Sequence, residues 1–305
     1  MLAIYKKELK YYFTSTMMGY VFIALFLLAL GFFSTILNLY NMAANFEYVI
    51  NPNNTPLTML FIILVPLLTM RLMAEEKRTK TDQLLLTSPV SVEKIVFGKY
   101  LAVATVFSAV VLVMMVYPLI LSSYGEVSFS TAYAAIFGFY LLGLALLALG
   151  TFVSTCMENQ VIAAVVSFFA IIAIYFISHV AGLFPSDNRT ALIVLVILVL
   201  LIAGMMYWML RNVIVSAGIA VVGSGVLVLL YFTKQTLFDG ILMKLFSWLS
   251  VMDRYDTFLN NSLDLSSVVY LLSFTYLFLF LSIQSIKKRR WRSYREKENQ
   301  YEKEY

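Results

Sequence analysis

Eight stretches of about 20 apolar residues follow one another along this chain, at roughly 17–39, 56–74, 99–121, 131–156, 160–184, 191–210, 213–233 and 266–286. That succession limits the fold more than any other feature. A helix rising about 1.5 Å per residue needs about 20 apolar residues to cross roughly 30 Å of hydrocarbon. No water is available there to bond an open backbone, so unbroken apolar runs of this length satisfy their peptide groups internally, as helices. The reading is an all-α, polytopic membrane protein with about eight spans. Composition agrees: 61% of residues are hydrophobic and 13% charged, against about 45–50% and about 25% in soluble proteins. Soluble-enzyme and disordered readings fall away. A single cysteine, Cys156, excludes an intrachain disulfide, and no Cys/His cluster suggests a metal.

The run from Ala191 to Thr233 is interrupted only by Arg211 and Asn212 and is about twice one span, so it reads as two helices joined by a tight polar turn. With both termini inside, 18 of the 22 Lys and Arg fall on the inner side, leaving Arg189, Lys234, Lys244 and Arg254 outside. This bias places both termini in the cytoplasm, and a six-span count would do the same. No cleavage pattern follows the first run, which is expected to stay as a signal anchor. Pro66, Pro118, Gly143 and Gly150 sit within spans, where helices tolerate them. Ser216, Ala220 and Ser224 repeat a small-residue spacing suited to close helix packing.

The spans carry almost no ionisable groups. His179 is the one clear case, expected near the outer mouth and bonded to a carbonyl or water, and Glu158 lies in the turn after the fourth span. Proton-coupled pumps and intramembrane hydrolases need buried acids, bases or metal ligands to carry the ion or the chemistry. Cys156 reads as a small apolar filler. Gly218, Gly223 and Gly225 are followed by no lysine, so there is no phosphate-binding loop. The chain is expected to have no catalytic residue, metal or cofactor of its own, and to take its energy from elsewhere.

The segment Arg71–Tyr100 is the most informative. Thr81-Asp82-Gln83-Leu84-Leu85-Leu86 makes a short helix with an acid in its first turn. Pro89 breaks it, and Ser91 caps a helix leading into the third span. Three consecutive leucines below a membrane want a partner. Near the N-terminus, Leu2, Tyr5, Leu9, Tyr12 and Phe13 share one helical face and Lys6, Lys7 and Lys10 fall off it, the pattern of a helix lying in the membrane interface. Glu75 and Glu76 are placed to pair with Lys77, Arg78 or this helix.

Glu75-Glu76-Lys77-Arg78, Thr81-Asp82 and Leu84-Leu85-Leu86-Thr87-Ser88-Pro89 together resemble the signature loop of type-2 ABC transporter permeases. The chain is most similar to the gliding-motility-associated permease group of bacteria. Tyr5-Lys6-Lys7-Glu8-Leu9, Glu158-Asn159-Gln160 and the stretch from Ser282 to Trp291 fit the same group, so the likeness runs over essentially the whole chain. The resemblance implies a six-span exporter core plus two spans within 185–233, in the bacterial cytoplasmic membrane. It implies an interfacial helix over 1–15 (Tyr5, Lys6, Lys7, Leu9) and a permease domain over 16–286. Within 75–98 a coupling helix would dock on an ATPase subunit through Glu75, Glu76, Thr81, Asp82, Leu84, Leu85, Leu86 and Pro89. It further implies two ATPase copies holding ATP and Mg, a second permease copy or a sister permease, and room for an accessory extracytoplasmic subunit.

Between the last two spans, Leu237, Ile241, Leu245, Trp248 and Met252 recur at helical spacing, predicting short external helices over 234–262. Related permeases have re-entrant helices there. Trp248, Asp253, Arg254 and Asp256 form a candidate external gate, with capping or mutual pairing as the plainer role. The tail 287–305 opens with Lys287-Lys288-Arg289-Arg290-Trp291-Arg292, read as a stop signal at anionic lipid rather than a nucleic-acid site. Ser167, Tyr175, Tyr117 and Thr151 are candidates to line a route at the seam of the permease pair, and so few charges suit an amphipathic or lipid-like substrate. A stand-alone carrier or channel, a lipid-modifying membrane enzyme and a scaffold of a surface assembly are the alternatives. The sequons at Asn53, Asn188 and Asn260 carry no weight.

Overall fold

Apolar runs bounded by polar turns become helices here, as the lack of water in their surroundings requires. The computed structural model describes residues 1–41, 46–51, 57–82, 90–183, 188–210, 213–233, 240–260 and 264–304. Among these residues all regular structure is helical. In chain order the helices are α1 (Leu2–Lys10), α2 (Met18–Asn41), α3 (Phe46–Ile50), α4 (Leu57–Thr69), α5 (Arg71–Arg78), α6 (Val92–Met114) and α7 (Tyr117–Leu121). Then come α8 (Phe129–Cys156), α9 (Gln160–Leu183), α10 (Asn188–Leu210), α11 (Val213–Thr233), α12 (Ile241–Leu249), α13 (Val251–Leu259) and α14 (Leu265–Glu304). A π-helical turn, Tyr11–Ser15, joins α1 to the approach of α2.

Among the described residues five helical segments are long and apolar enough to cross a membrane: Met18–Asn38, Val92–Leu121, Phe129–Cys156, Gln160–Ile177 and Leu265–Arg290. The run at 56–74 is realised differently from a single span. Its apolar part, α4, has 13 residues, about 20 Å at 1.5 Å per residue. Past Met70 the chain continues as α5, which buries Leu72, Met73 and Ala74 and brings Glu75 and Glu76 to cationic partners. The break falls where Arg71 begins the polar segment. The chain divides into two compact units, Met1–Ala173 with Arg254–Tyr305, and Ile174–Asp253.

In the larger unit α8 is the centre. The helix α14 runs along it, and α3, α4, α5 and α6 also pack on it. Its buried positions include Ala132, Ala135, Gly138, Ala145, Ala148 and Gly150, and small side chains let neighbouring backbones approach where lipid offers no hydrophobic drive to pack. A Cβ on Gly150 would stand 2.3 Å from the Thr69 Oγ1, and one on Gly138 would stand 2.6 Å from the Phe258 Cγ. These two glycines admit the end of α4 at one end of α8 and α13 toward the other. Tyr255, fully buried, also reaches α8 by an edge contact with Phe139 at 6.4 Å between ring centroids, and its hydroxyl donates to the Ile50 carbonyl at 3.0 Å.

The smaller unit contains α10 and α11, which pack on each other. The run from 191 to 233 is thus two helices, and the turn between them was expected at Arg211 and Asn212. That turn lies outside the described residues. Ala191 is buried among Leu192, Val194, Leu195, Tyr231, Ile241 and Phe246. The left-handed Gly240 (φ 64°) starts α12, so Ile241 and Trp248 are helical as their spacing predicts.

Gly150→Ala is expected to destabilise the protein by about 1–3 kcal/mol, the usual cost of forcing extra atoms into a packed core. Adding Thr69→Ala should recover part of that loss. Thermal unfolding of the detergent-solubilised single and double variants checks it.

Candidate functional site

At one end of the larger unit, α1, α5, α6, the end of α8 and the end of the membrane-crossing part of α14 meet in a network of charges. Its centre is Lys99, on α6 and only 1% exposed. The Lys99 Nζ lies 3.1 Å from Glu8 Oε1 of α1 and 2.8 Å from Glu76 Oε1 of α5, and donates to the Leu72 carbonyl at 2.6 Å. A buried ammonium is costly unless it is paired and all its protons are bonded. Three N–H donors meet three acceptors here, from two other helices. The Tyr5 hydroxyl, 3.1 Å from Thr105 Oγ1, fixes α1 along α6 a second time.

A second cluster sits beside it. Arg71 bridges Glu75 with two contacts, Nε to Oε2 at 2.9 Å and Nη2 to Oε1 at 3.1 Å. Its guanidinium lies 5.8 Å from the centre of the Tyr11 ring, a cation–π distance. The Tyr11 hydroxyl donates to Glu75 Oε2 at 3.3 Å, and burial with the Glu75 charge pushes that phenol above its ordinary range. Tyr11 opens the π-turn, whose wider ring is closed by the Thr16 N–H on the Tyr11 carbonyl at 3.1 Å. One residue on, Tyr12 is buried and donates to the Leu68 carbonyl at 2.7 Å. Burial, with the Glu8 charge adding to it, raises its phenol well above the usual value.

The first turn of α5 has backbone N–H groups without partners in its own helix, and α8 supplies one. The Ser154 Oγ accepts from the Met73 and Ala74 N–H groups at 3.1 and 3.2 Å and donates to the Met70 carbonyl at 3.1 Å. Lys77 Nζ donates to the Thr155 carbonyl. Burial, and then the Arg289 guanidinium, push that ammonium below the usual lysine range. Beyond α5, Lys80 turns the chain through a left-handed conformation (φ 57°) and leads to Asp82. There Arg289 Nη2 stands 3.1 Å from Asp82 Oδ2, and Lys287 Nζ stands 2.5 Å from Glu93 Oε1.

The structure thus uses the N-terminal helix as a partner for both acids that the sequence singled out, Glu75 through Tyr11 and Glu76 through the lysine it shares with Glu8. Arg71, rather than the expected Lys77 or Arg78, completes the Glu75 pair. The buried role of Lys99 escaped the sequence reading, where it counted only as one more inner-side charge. Lys6 and Lys7 are exposed on α1, while Tyr5 and Leu9 are half-buried. Thr81 accompanies Thr79 at 2.9 Å between hydroxyls. Gln83, Leu84, Leu85, Leu86, Thr87, Ser88 and Pro89 lie outside the described residues.

In the smaller unit, Asp253 accepts a bond from the Ser247 hydroxyl at 2.6 Å, and Trp248 is 65% exposed. In the larger unit Arg254 lies 5.4 Å from the Tyr270 ring centre and donates to Ser266 Oγ at 3.3 Å. Asp256 is half-buried on α13. Of the candidate route residues, Thr151 is buried with its hydroxyl on the Leu147 carbonyl at 2.7 Å, and Ser167 and Tyr175 are buried on α9. The Tyr117 ring stands 6.0 Å from Phe46. His179 lies on α9. Among the described residues no group of three or more His, Cys, Asp or Glu is placed to hold a metal ion.

A family model described as "ABC-2 family transporter protein" matches residues 33–283. The chain belongs to that family. No curated protein and no solved structure matches it. An ABC-2 permease is the membrane-spanning component of an ABC transporter, is not itself catalytic, and implies an ATPase partner. In this permease Lys99, Glu75, Glu76, Asp82 and Glu93 fall inside the matched residues, while Glu8 on α1 falls before them.

Lys99→Met leaves Glu8 and Glu76 facing each other in a buried site, and is expected to cost about 3 kcal/mol, as for other broken buried pairs. Glu76→Gln should cost less, because Glu8 still neutralises the lysine. Denaturant titration of the purified variants ranks the two.

Proposed function

We propose that this ABC-2 permease is the transducing half of an ATP-driven exporter, with the charged end of its larger unit in the cytoplasm. The 75–98 segment carries the coupling contact to the ATPase, with Glu75, Glu76, Thr81, Asp82, Leu84, Leu85, Leu86 and Pro89 as its residues. One observation carries the reading: α5 and α6, on either side of the leucine-rich 83–89 segment, are bonded to α1 and α14 from the two ends of the chain. A loop whose flanks are so held is suited to passing a push from outside into several helices at once.

In this reading two ATPase subunits bind ATP and Mg²⁺ and close, the loop follows, and α1 (Tyr5, Lys6, Lys7, Leu9) moves with α5 and α6 through Lys99. A second permease copy, or a sister permease, completes the route, with scope for an accessory extracytoplasmic subunit. The scarcity of charge in the spans supports an amphipathic or lipid-like cargo, and Trp248, Asp253, Arg254 and Asp256 would act at its exit. Membership in the gliding-motility-associated group, and hence a bacterial plasma membrane with both termini inside, is supported by the residue pattern over 75–89 and by the one-sided Lys/Arg distribution.

Replacing Leu84 and Leu85 together by Asp is expected to lower ATPase association by about a hundredfold, since charges in place of two leucines at an apolar contact cost at least about 3 kcal/mol. Co-purification of the full-length permease followed by mass spectrometry measures it, and unchanged association would remove the coupling assignment.

A further inference from the structure

The coupling loop has two kinds of tether. On its membrane side, α5 is bound to α6 through Lys99, 1% exposed and bonded to two carboxylates. At its two ends the tethers are of another kind. Asp82, just before 83–89, meets Arg289, with side chains 13% and 39% exposed. Glu93, just after, meets Lys287, and both are 43% exposed. Lys287 and Arg289 are two residues apart on α14, so at about 100° per residue they point to nearly opposite sides of the helix. One turn of α14 therefore reaches both flanks of the loop.

Exposed ion pairs are weak and are screened by salt, while buried ones persist. Near Arg289, the half-buried Lys77 ammonium is disfavoured first by burial and then by the guanidinium charge.

We propose that Lys287 and Arg289 are positioning residues forming a releasable latch, which holds Asp82 and Glu93 against α14 at rest and lets go of them when the ATPase engages. The inference rests on the coupling role of 83–89 and adds to it the part that must let go. The basic start of the tail is then a specific contact to the loop as well as a lipid-facing stop signal. Lys287 and Arg289 differ from Lys288, which is exposed.

The test uses the full-length permease with Cys156→Ser, carrying Lys287→Cys and Glu93→Cys, joined by a reducible thiol cross-linker and reconstituted in vesicles with its co-purified ATPase. Linking is expected to lower ATP hydrolysis about tenfold, a typical coupling between sites, and reduction to restore it. In the otherwise native chain Lys287→Glu should lower cross-talk between permease and ATPase, and the swap Lys287→Glu with Glu93→Lys should restore it. Full hydrolysis in the linked complex, or a swap that fails to rescue, would overturn the latch while leaving the coupling assignment intact. Failure of the unaltered permease to retain any ATPase would overturn the coupling reading and the latch together.

Discussion

An ammonium group with 1% of its surface exposed dictates the arrangement around it. Lys99 needs acceptors for all three of its protons and at least one negative charge nearby. The chain meets that demand by bringing α1 and α5 against α6. Without Glu8, α1 would be a surface helix held by Tyr5 and apolar contact. Without Glu76 and the Leu72 carbonyl, α5 would lose its polar joint to α6 and keep those to α8 and Tyr11. The three helices behave as one piece because separating them would expose an uncompensated charge to an apolar interior.

The other constraint is the crowding of α8. Among the described residues α3, α4, α5, α6, α13 and α14 lie on it, and a membrane interior rewards such packing only where backbones come close. Gly138 and Gly150 provide that closeness at α13 and α4. Ser154 and Thr155, in the last turn of α8, complete the hydrogen bonding of α5. The same helix thus sets both the apolar packing and the polar joints of the larger unit.

Much of this architecture was legible in the sequence. The apolar runs pointed to the all-helical membrane fold, the double length of the 191–233 run to the two packed helices α10 and α11, and the acids and leucines of 75–89 to the family. Other features were hidden for physical reasons. A lysine at the start of an apolar run looks the same in sequence whether it faces headgroups or two carboxylates from other helices, so the role of Lys99 depended on tertiary contacts. The run at 56–74 gave no sign of dividing at Met70, since hydropathy averages over a break of one residue. The π-turn at Tyr11–Ser15 has no composition of its own. It is set by where Tyr11 and Tyr12 must reach, namely Glu75 and the Leu68 carbonyl. Lys287 and Arg289 lay within a uniformly basic run, where nothing in the order of residues separates the two that find acids.

The helix α14 is continuous over 40 residues, about 60 Å at 1.5 Å per residue, or twice the thickness of the hydrocarbon layer. Its first turn is capped by Asp264, which accepts from the Ser266 N–H at 3.0 Å, and Arg254 lies on Ser266 and Tyr270 of the same helix. Lys287 and Arg289 sit on the same rod some six turns further along. A stiff shaft with no joint along it puts its two ends mechanically in series, so that tilting or rotating it at one bilayer surface must be felt at the other without any relay of side chains between them.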